Sequence, residues 1–351
     1  MKLNTISFLC LILVIFTVAG VNASDVNDTV VASDVNDDVI SNAEQIEEIS
    51  VSDDGNLITD TPKTMTELKD TIDSTQNVTI ILNDDYSYSD DDSDLKNGIE
   101  ISKSITIDGQ GHKIDGAGKM RIFQVTDNAA VTFKNMVLLN GWVDDEEFGA
   151  AVWNNGTGNV TAINCTFKNN NASYDGGAIY NGSALNCTFI NNSATFNGGA
   201  IYNGSAVNCS FINNTAQRGG AIFKGYAMNC TFVSNSASFG GAMDGNSAIN
   251  CSFINNAAYY GGGIEGGHAT NCSFINNTAE YEGGAIDGIS AKNCSFINNK
   301  ANNRGGAISM CSALDCSFVG NSAPEGGAIN SNSAINCSFD NNTASKEGGA
   351  I

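Results

Sequence analysis

The chain has 351 residues, with 38 Asp and Glu against 16 Lys and Arg, and its formal net charge of −22 is concentrated before residue 150. That balance excludes a nucleic-acid partner, because phosphate binding requires a basic stripe. The length would ordinarily imply two or three domains, but an internal repeat changes its meaning, since a solenoid grows by adding coils.

Met1 and Lys2 precede an apolar run from Ile6 to Ala19, and Val21-Asn22-Ala23 supplies the small residues of a signal peptidase site. Residues 1–23 therefore read as a signal peptide, which directs the chain to the cell surface or the exterior. No later stretch is apolar enough to insert the mature chain in a membrane. Residues 24–58 are acidic and rich in Ser and Asn, with A-S-D-V-N-D at Ala23 and again at Ala32. They read as a disordered linker.

Residues 59–351 read as one domain, with a cap and irregular coils over 59–160 and regular repeats over 161–351. Thr64-Met65-Thr66-Glu67 has capping-box spacing, and Met65, Leu68 and Ile72 share a helical face, so a short helix over 65–74 is expected to cap the end of a core. Val78, Ile80 and Leu82 alternate as a strand; Asp84 to Asp94 reads as a flexible acidic loop; Ile99 and Ile101 resume the alternation. The segments beginning at Ser104, Arg121 and Val131 each read as a strand and a turn.

Cysteines then fall at 165, 187, 209, 230, 251, 272, 294, 316 and 337, in steps of 21 or 22. The period is too short for two-helix repeats, which need roughly 33 to 47 residues, and the leucine frame of leucine-rich repeats is missing. Short strands separated by Asn and Gly turns fit instead, so the fold class is all-β: a right-handed parallel β-helix with 21 or 22 residues per coil. The last repeat stops in mid-coil at Ile351, which leaves the solenoid open there and suggests a longer protein.

Two residues after each Cys stands Phe, from Phe167 to Phe339, so Cys and Phe share the inward face. By the same alternation the residue two before Cys, such as Ile163, Leu185 or Ile249, is expected to point inward, and Lys292 in that column is unexplained. Asn stands five after each Cys, Asn170 through Asn342, and reads as a ladder inside a turn. Ala follows two later, at an inner corner, and then a Gly pair that permits positive φ and close backbone approach. The Asn of each N-C-S/T triplet is expected on the outward face of a strand. The stacked thiols lack zinc spacing and read as buried apolar groups, whereas Cys311, outside the column, is the thiol expected to react.

Recognition should lie where the repeat varies. The loop before the Gly pair, which also absorbs the extra residue of the longer copies, carries Tyr174, Phe196, Phe239, Tyr259, Tyr260 and Tyr281. The outward column after the Ile of G-G-A-I reads Tyr180, Tyr202, Phe223, Asp244, Glu265 and Asp287. With coils about 4.8 Å apart, the aromatics form a platform for sugar rings beside a row of carboxylates. The spacing of that row resembles a glycosidase pair, yet no Arg or Lys shares the column, and a solvated acidic patch is the expected state. No catalytic residue, metal or cofactor is assigned.

The nine G-G-A/G-I/M tetrapeptides, paired with F-x-x-N as in Phe211-Ile212-Asn213-Asn214, resemble the repeats of chlamydial polymorphic outer membrane proteins. With the lead-in I-T-I-D-G-Q-G-H-K-I-D-G, the chain is similar to adhesin-like surface proteins of methanogenic archaea, which carry β-helices of the pectate-lyase type. The resemblance implies an adhesin that attaches to glycans or proteins on host or microbial cells, or to polysaccharide. A lyase or hydrolase on the same fold and a passive stalk are the alternatives.

Overall fold

The computed structural model describes residues 61–144, 147–330 and 333–351. The signal peptide and linker expected over 1–58 lie outside them. The described residues wind into a parallel β-helix whose longest single-column sheet contributes 13 strands, running from Lys63–Thr64 to Ser338–Asp340. Each strand pairs in parallel with the one a coil away, so identical positions stack: Phe189 on Phe167, Phe211 on Phe189, and so on to Phe339. Ring centroids in this column are 4.7 to 5.1 Å apart, with planes 4° to 9° from parallel. Burial of each ring contributes about 2–3 kcal/mol, and the eight rings from Phe167 to Phe318 are completely buried.

Four left-handed residues turn most of the regular coils, and three turn the coil from Asn271 to Lys292. From Asn186 to Val207 the four are Asn186 (φ 53°), Asn191 (53°), Gly198 (64°) and Asn203 (52°). Asn is the side chain that tolerates this region best after Gly. Repetition then gives it a second use: the Asn186 amide donates to Asn164 Oδ1 at 3.2 Å, Asn208 to Asn186 at 3.1 Å, and Asn229 to Asn208 at 3.1 Å. The Asn residues of the N-C-S/T triplets are therefore corner residues in an exposed amide ladder, not strand residues.

This corner also overturns the inward assignment of the column two before Cys. A left-handed residue between the two strands breaks the alternation, so the face inverts across it. Ile249 and Ile335 are 38% and 55% exposed, while Ala184, Ala206 and Ala248, three before Cys, are buried. Lys292 needs no special account, because it stands on the outer face.

The buried ladder is formed by the Asn five after Cys. From Asn170 to Asn321 each is completely buried, and each amide donates to the next Asn and to a carbonyl of the previous coil, Leu138 for Asn170 and the Phe of the column from Asn192 onward. Its backbone is not left-handed; that geometry falls one residue earlier, at Asn191 or Asn255. In the Gly pairs the two residues have separate reasons. Gly240 takes φ 61°, and a Cβ on Gly241 would sit 2.1 Å from the carbonyl oxygen of Gly262 in the next coil.

The helix Met65–Ser74 has the expected capping box, with Met65, Leu68 and Ile72 buried in the core. Val78 is 77% exposed, because it precedes the strand Thr79–Ile81. The acidic segment is not a loose loop: it contains the strand Tyr86–Ser87 and the 3-10 helix Asp90–Leu95. Asp92 is 1% exposed and accepts from the Thr66 N–H and hydroxyl at 2.8 and 2.7 Å, holding the helix N-terminus. Cys311 is completely buried, and burial pushes its thiol up to about 12, so it is not the reactive thiol expected from its turn position.

Candidate ligand-binding strip

The turn Gly-Gly-Ala-Ile builds the site. Because the first Gly is left-handed, the residue before the pair and the residue after Ile come to face one another along one strip. Each forms an in-register column. One runs Trp153, Tyr180, Tyr202, Phe223, Asp244, Glu265, Asp287, Ser309. The other runs Asp175, Asn197, Arg218, Phe239, Tyr260, Glu282, Arg304, Glu325.

Three contacts cross the strip from the residue before the turn to the opposing column of the next coil, while Arg218 also lies 5.5 Å over Phe223 of its own coil. Phe148 lies 4.7 Å from Tyr180, Arg218 Nε is 2.6 Å from Asp244 Oδ2, and the Ser309 hydroxyl donates to Glu282 at 3.0 Å. The variable loop and the outward column, read separately in the sequence, are two walls of one site.

The aromatic half is a continuous platform. Tyr180 and Tyr202 stack at 4.7 Å, 2° from parallel, and Phe223 continues at 5.5 Å, although its own face is nearly buried. Phe148 joins this ladder to Tyr174 at 5.3 Å, and Tyr174 packs on Phe196 at 4.7 Å. Phe239, Tyr260 and Tyr281 form a second stack at 5.6 and 5.4 Å, with Tyr259 at its edge. All nine aromatics expected from the sequence thus fall into two clusters, and Phe148 and Trp153 extend the first.

Arg121 fixes that extension. Its side chain is 1% exposed, its guanidinium lies 4.4 Å over the Trp153 ring, and it donates to the carbonyls of Asn97, Phe148 and Gly149 and pairs with Glu147. It therefore holds the segment that carries Phe148. A buried Arg is costly unless its donors are satisfied, and these are. Nothing in the sequence marked Arg121, because its partners lie 24 to 28 residues away.

The carboxylate row is not a solvated patch. Asp244 and Asp287 are 4% and 8% exposed, and Glu265 is half-buried. Burial raises Asp244, with the Arg218 guanidinium pulling it back. Burial, then the charges of Asp287 and Asp244, push Glu265 up to about 8; burial, then Glu282, push Asp287 up to about 6. The cation absent from the outward column comes from the facing one, as Arg218 and Arg304, the latter 2.9 Å from Glu325. His268 stands apart, exposed and bonded to Ser290 at 2.8 Å.

The sequence family described as a pectate lyase-like adhesive domain matches residues 59–180. The Chlamydia polymorphic membrane protein repeat matches 186–204, 208–224, 271–288, 293–310 and 336–351. The chain is thus a parallel β-helix whose first coils match the adhesive-domain family and whose later coils match the polymorphic membrane protein repeat. No curated protein matches the sequence. Among solved structures it is similar to PfbA, a surface adhesin of Streptococcus pneumoniae, at 13% identity and TM-score 0.42, over 80% of this chain and 91% of that one. It is also similar to tailspike protein 3 of bacteriophage CBA120, at 11% and 0.40, over 86% and 62%. A tailspike protein of E. coli bacteriophage HK620 in complex with a pentasaccharide gives 14% and 0.41, over 78% and 61%. At these values they say nothing of what this chain binds.

Proposed function

We propose that the protein is a cell-surface adhesin-like β-helix that attaches to glycans along the strip. The observation that carries this reading is the register-stacked ladder of Tyr180, Tyr202 and Phe223 beneath Phe148, a row of rings aligned with the solenoid axis in which Tyr180 and Tyr202 are half-buried and Phe223 is nearly buried. Aromatic side chains flanked by a few convergent polar groups form the general chemistry of such sites. The adhesive-domain match supports the same reading. The strip is read as binding rather than catalytic, because Asp244, one of the three acids in the row, is tied to Arg218.

Tyr180→Ala, Tyr202→Ala and Tyr260→Ala are each expected to weaken glycan binding by about 1–2 kcal/mol, roughly 5- to 30-fold, with little change in the thermal midpoint. Titration of immobilised polysaccharides measures this. Unchanged affinities would favour a passive stalk. Release of unsaturated or reducing ends from polyuronates, abolished by Glu265→Gln or Asp244→Asn, would instead assign an enzyme.

A further inference from the structure

We propose that Glu265 and Asp287 form the seat for a cationic amino group, so that the strip recognises a polysaccharide bearing free-amine hexosamine units. The proposal rests on the glycan-binding reading and names the ligand's chemistry.

It starts from which charges in the strip are satisfied. Asp244 has Arg218 at 2.6 Å, Glu282 has the Ser309 hydroxyl at 3.0 Å, Glu325 has Arg304 at 2.9 Å, and Asp175 accepts from the Asn197 amide at 2.7 Å. Glu265 and Asp287 differ. Among the described residues the Asp287 carboxylate, on a residue 8% exposed, makes no hydrogen bond or ion pair, and Glu265 Oε2 is shut off from solvent without a partner. Buried carboxyl oxygens ordinarily find donors, and leaving one without costs free energy. These two acids stand at paired positions on adjacent coils, about 4.8 Å apart along the axis.

The missing partner is a compact cation with several donors. No three Asp, Glu, His or Cys side chains among the described residues converge as a metal ion would require. An ammonium needs less: two carboxyls that accept from its N–H groups, beside an aromatic wall. Tyr260 stands in that wall. It precedes the Gly pair of the coil that carries Glu265, the relation that puts Arg218 5.5 Å from Phe223, and it is stacked between Phe239 and Tyr281 at 5.6 and 5.4 Å. The amine belongs to a sugar rather than a lysine side chain because the same column continues, beyond Asp244, into the stacked rings of Phe223, Tyr202 and Tyr180, which a single lysine would leave unused.

The groups facing the seat fix its pH response. Asp244 lies on the coil before Glu265, with Arg218 bound to it; Glu282 shares the coil of Asp287, and Arg304 stands one coil beyond; His268, on the strand of Glu265, is turned to Ser290. The carboxyls must ionise to hold an ammonium, and burial holds them at about 8 and about 6. Affinity should therefore rise from pH 5 through pH 7 and fall once the amine loses its proton.

The test is calorimetric titration of the full chain with the glucosamine tetramer, the N-acetylglucosamine tetramer and a neutral glucose tetramer. The wild type should bind the free-amine tetramer at least about tenfold more tightly than the other two. Glu265→Gln and Asp287→Asn, which preserve shape, should reduce that preference to about twofold or less, and Tyr180→Ala should weaken all oligomers that bind. Equal binding of the three, or preference retained in both variants, overturns the seat while leaving glycan binding intact. Absence of binding by any tested glycan overturns both readings, and capture of polylysine without any oligosaccharide assigns a protein partner instead.

Discussion

Asn256→Leu is expected to cost about 4 kcal/mol of stability. The wild-type amide donates to the Phe232 carbonyl and to Asn277 Oδ1, both at 3.0 Å, and its oxygen accepts from the backbone and side chain of Asn235 at 2.9 and 3.0 Å. Leucine keeps the branched arrangement of heavy atoms, is somewhat larger and is more hydrophobic, so an account based on apolar burial alone predicts no loss beyond the fit of the two methyls. The hydrogen-bond account predicts a large one, because the Asn235 N–H and the Phe232 carbonyl remain buried without partners at about 1–3 kcal/mol each. Urea unfolding of the wild type and variant measures the difference. A shift below about 1 kcal/mol would show that the ladder is replaceable packing.

Gly241→Ala is expected to prevent accumulation of folded protein or to cost more than about 4 kcal/mol. The added methyl would meet the Gly262 carbonyl oxygen at 2.1 Å and that of Ala257 at 2.6 Å. Both are backbone atoms of the next coil, and neither retreats without opening the ladder that sets the coil spacing. Gly245→Ala is the internal control: its Cβ meets nothing within 4 Å, although φ is 80°. Its strain alone should cost about 1–2 kcal/mol. Yield and thermal midpoint distinguish close approach from backbone strain.

Most of the scaffold was legible because a repeat aligns itself. Phe, the buried Asn and the Gly pair occur where the coil gives no choice, and the helix cap could be read from Thr64 and Glu67. The column holding Ile249 failed for a physical reason: alternation was carried through Asn250, whose φ of 53° ends it. Asp92 was misread because a carboxylate is expected to seek water: Ser89, which also donates to it, is local, but the Thr66 and Met65 groups that enclose it lie 26 and 27 residues away.

The functional strip was half legible. Its aromatic and acidic members stood out as the varying positions of a constant repeat. What could not be read was their convergence, since the Gly-Gly-Ala-Ile turn brings residues before the glycines, such as Arg218 and Glu282, against column members a coil away. Arg218 therefore looked unrelated to Asp244, and the acids looked solvated because their walls were unknown. Phe148 was missed since it precedes the regular repeats, although a Gly-Ala-Ala-Val sequence follows it in place of the later consensus.

The central claim is that the varying columns form one binding face while the invariant columns hold the solenoid together. Hydroxyl-radical footprinting with and without a bound oligosaccharide tests it most directly. Protection should appear at Tyr180, Tyr202, Tyr260 and Tyr281, while Tyr226, 52% exposed on another column, keeps its reactivity. Protection of Tyr226 with the four strip tyrosines unchanged would contradict the account.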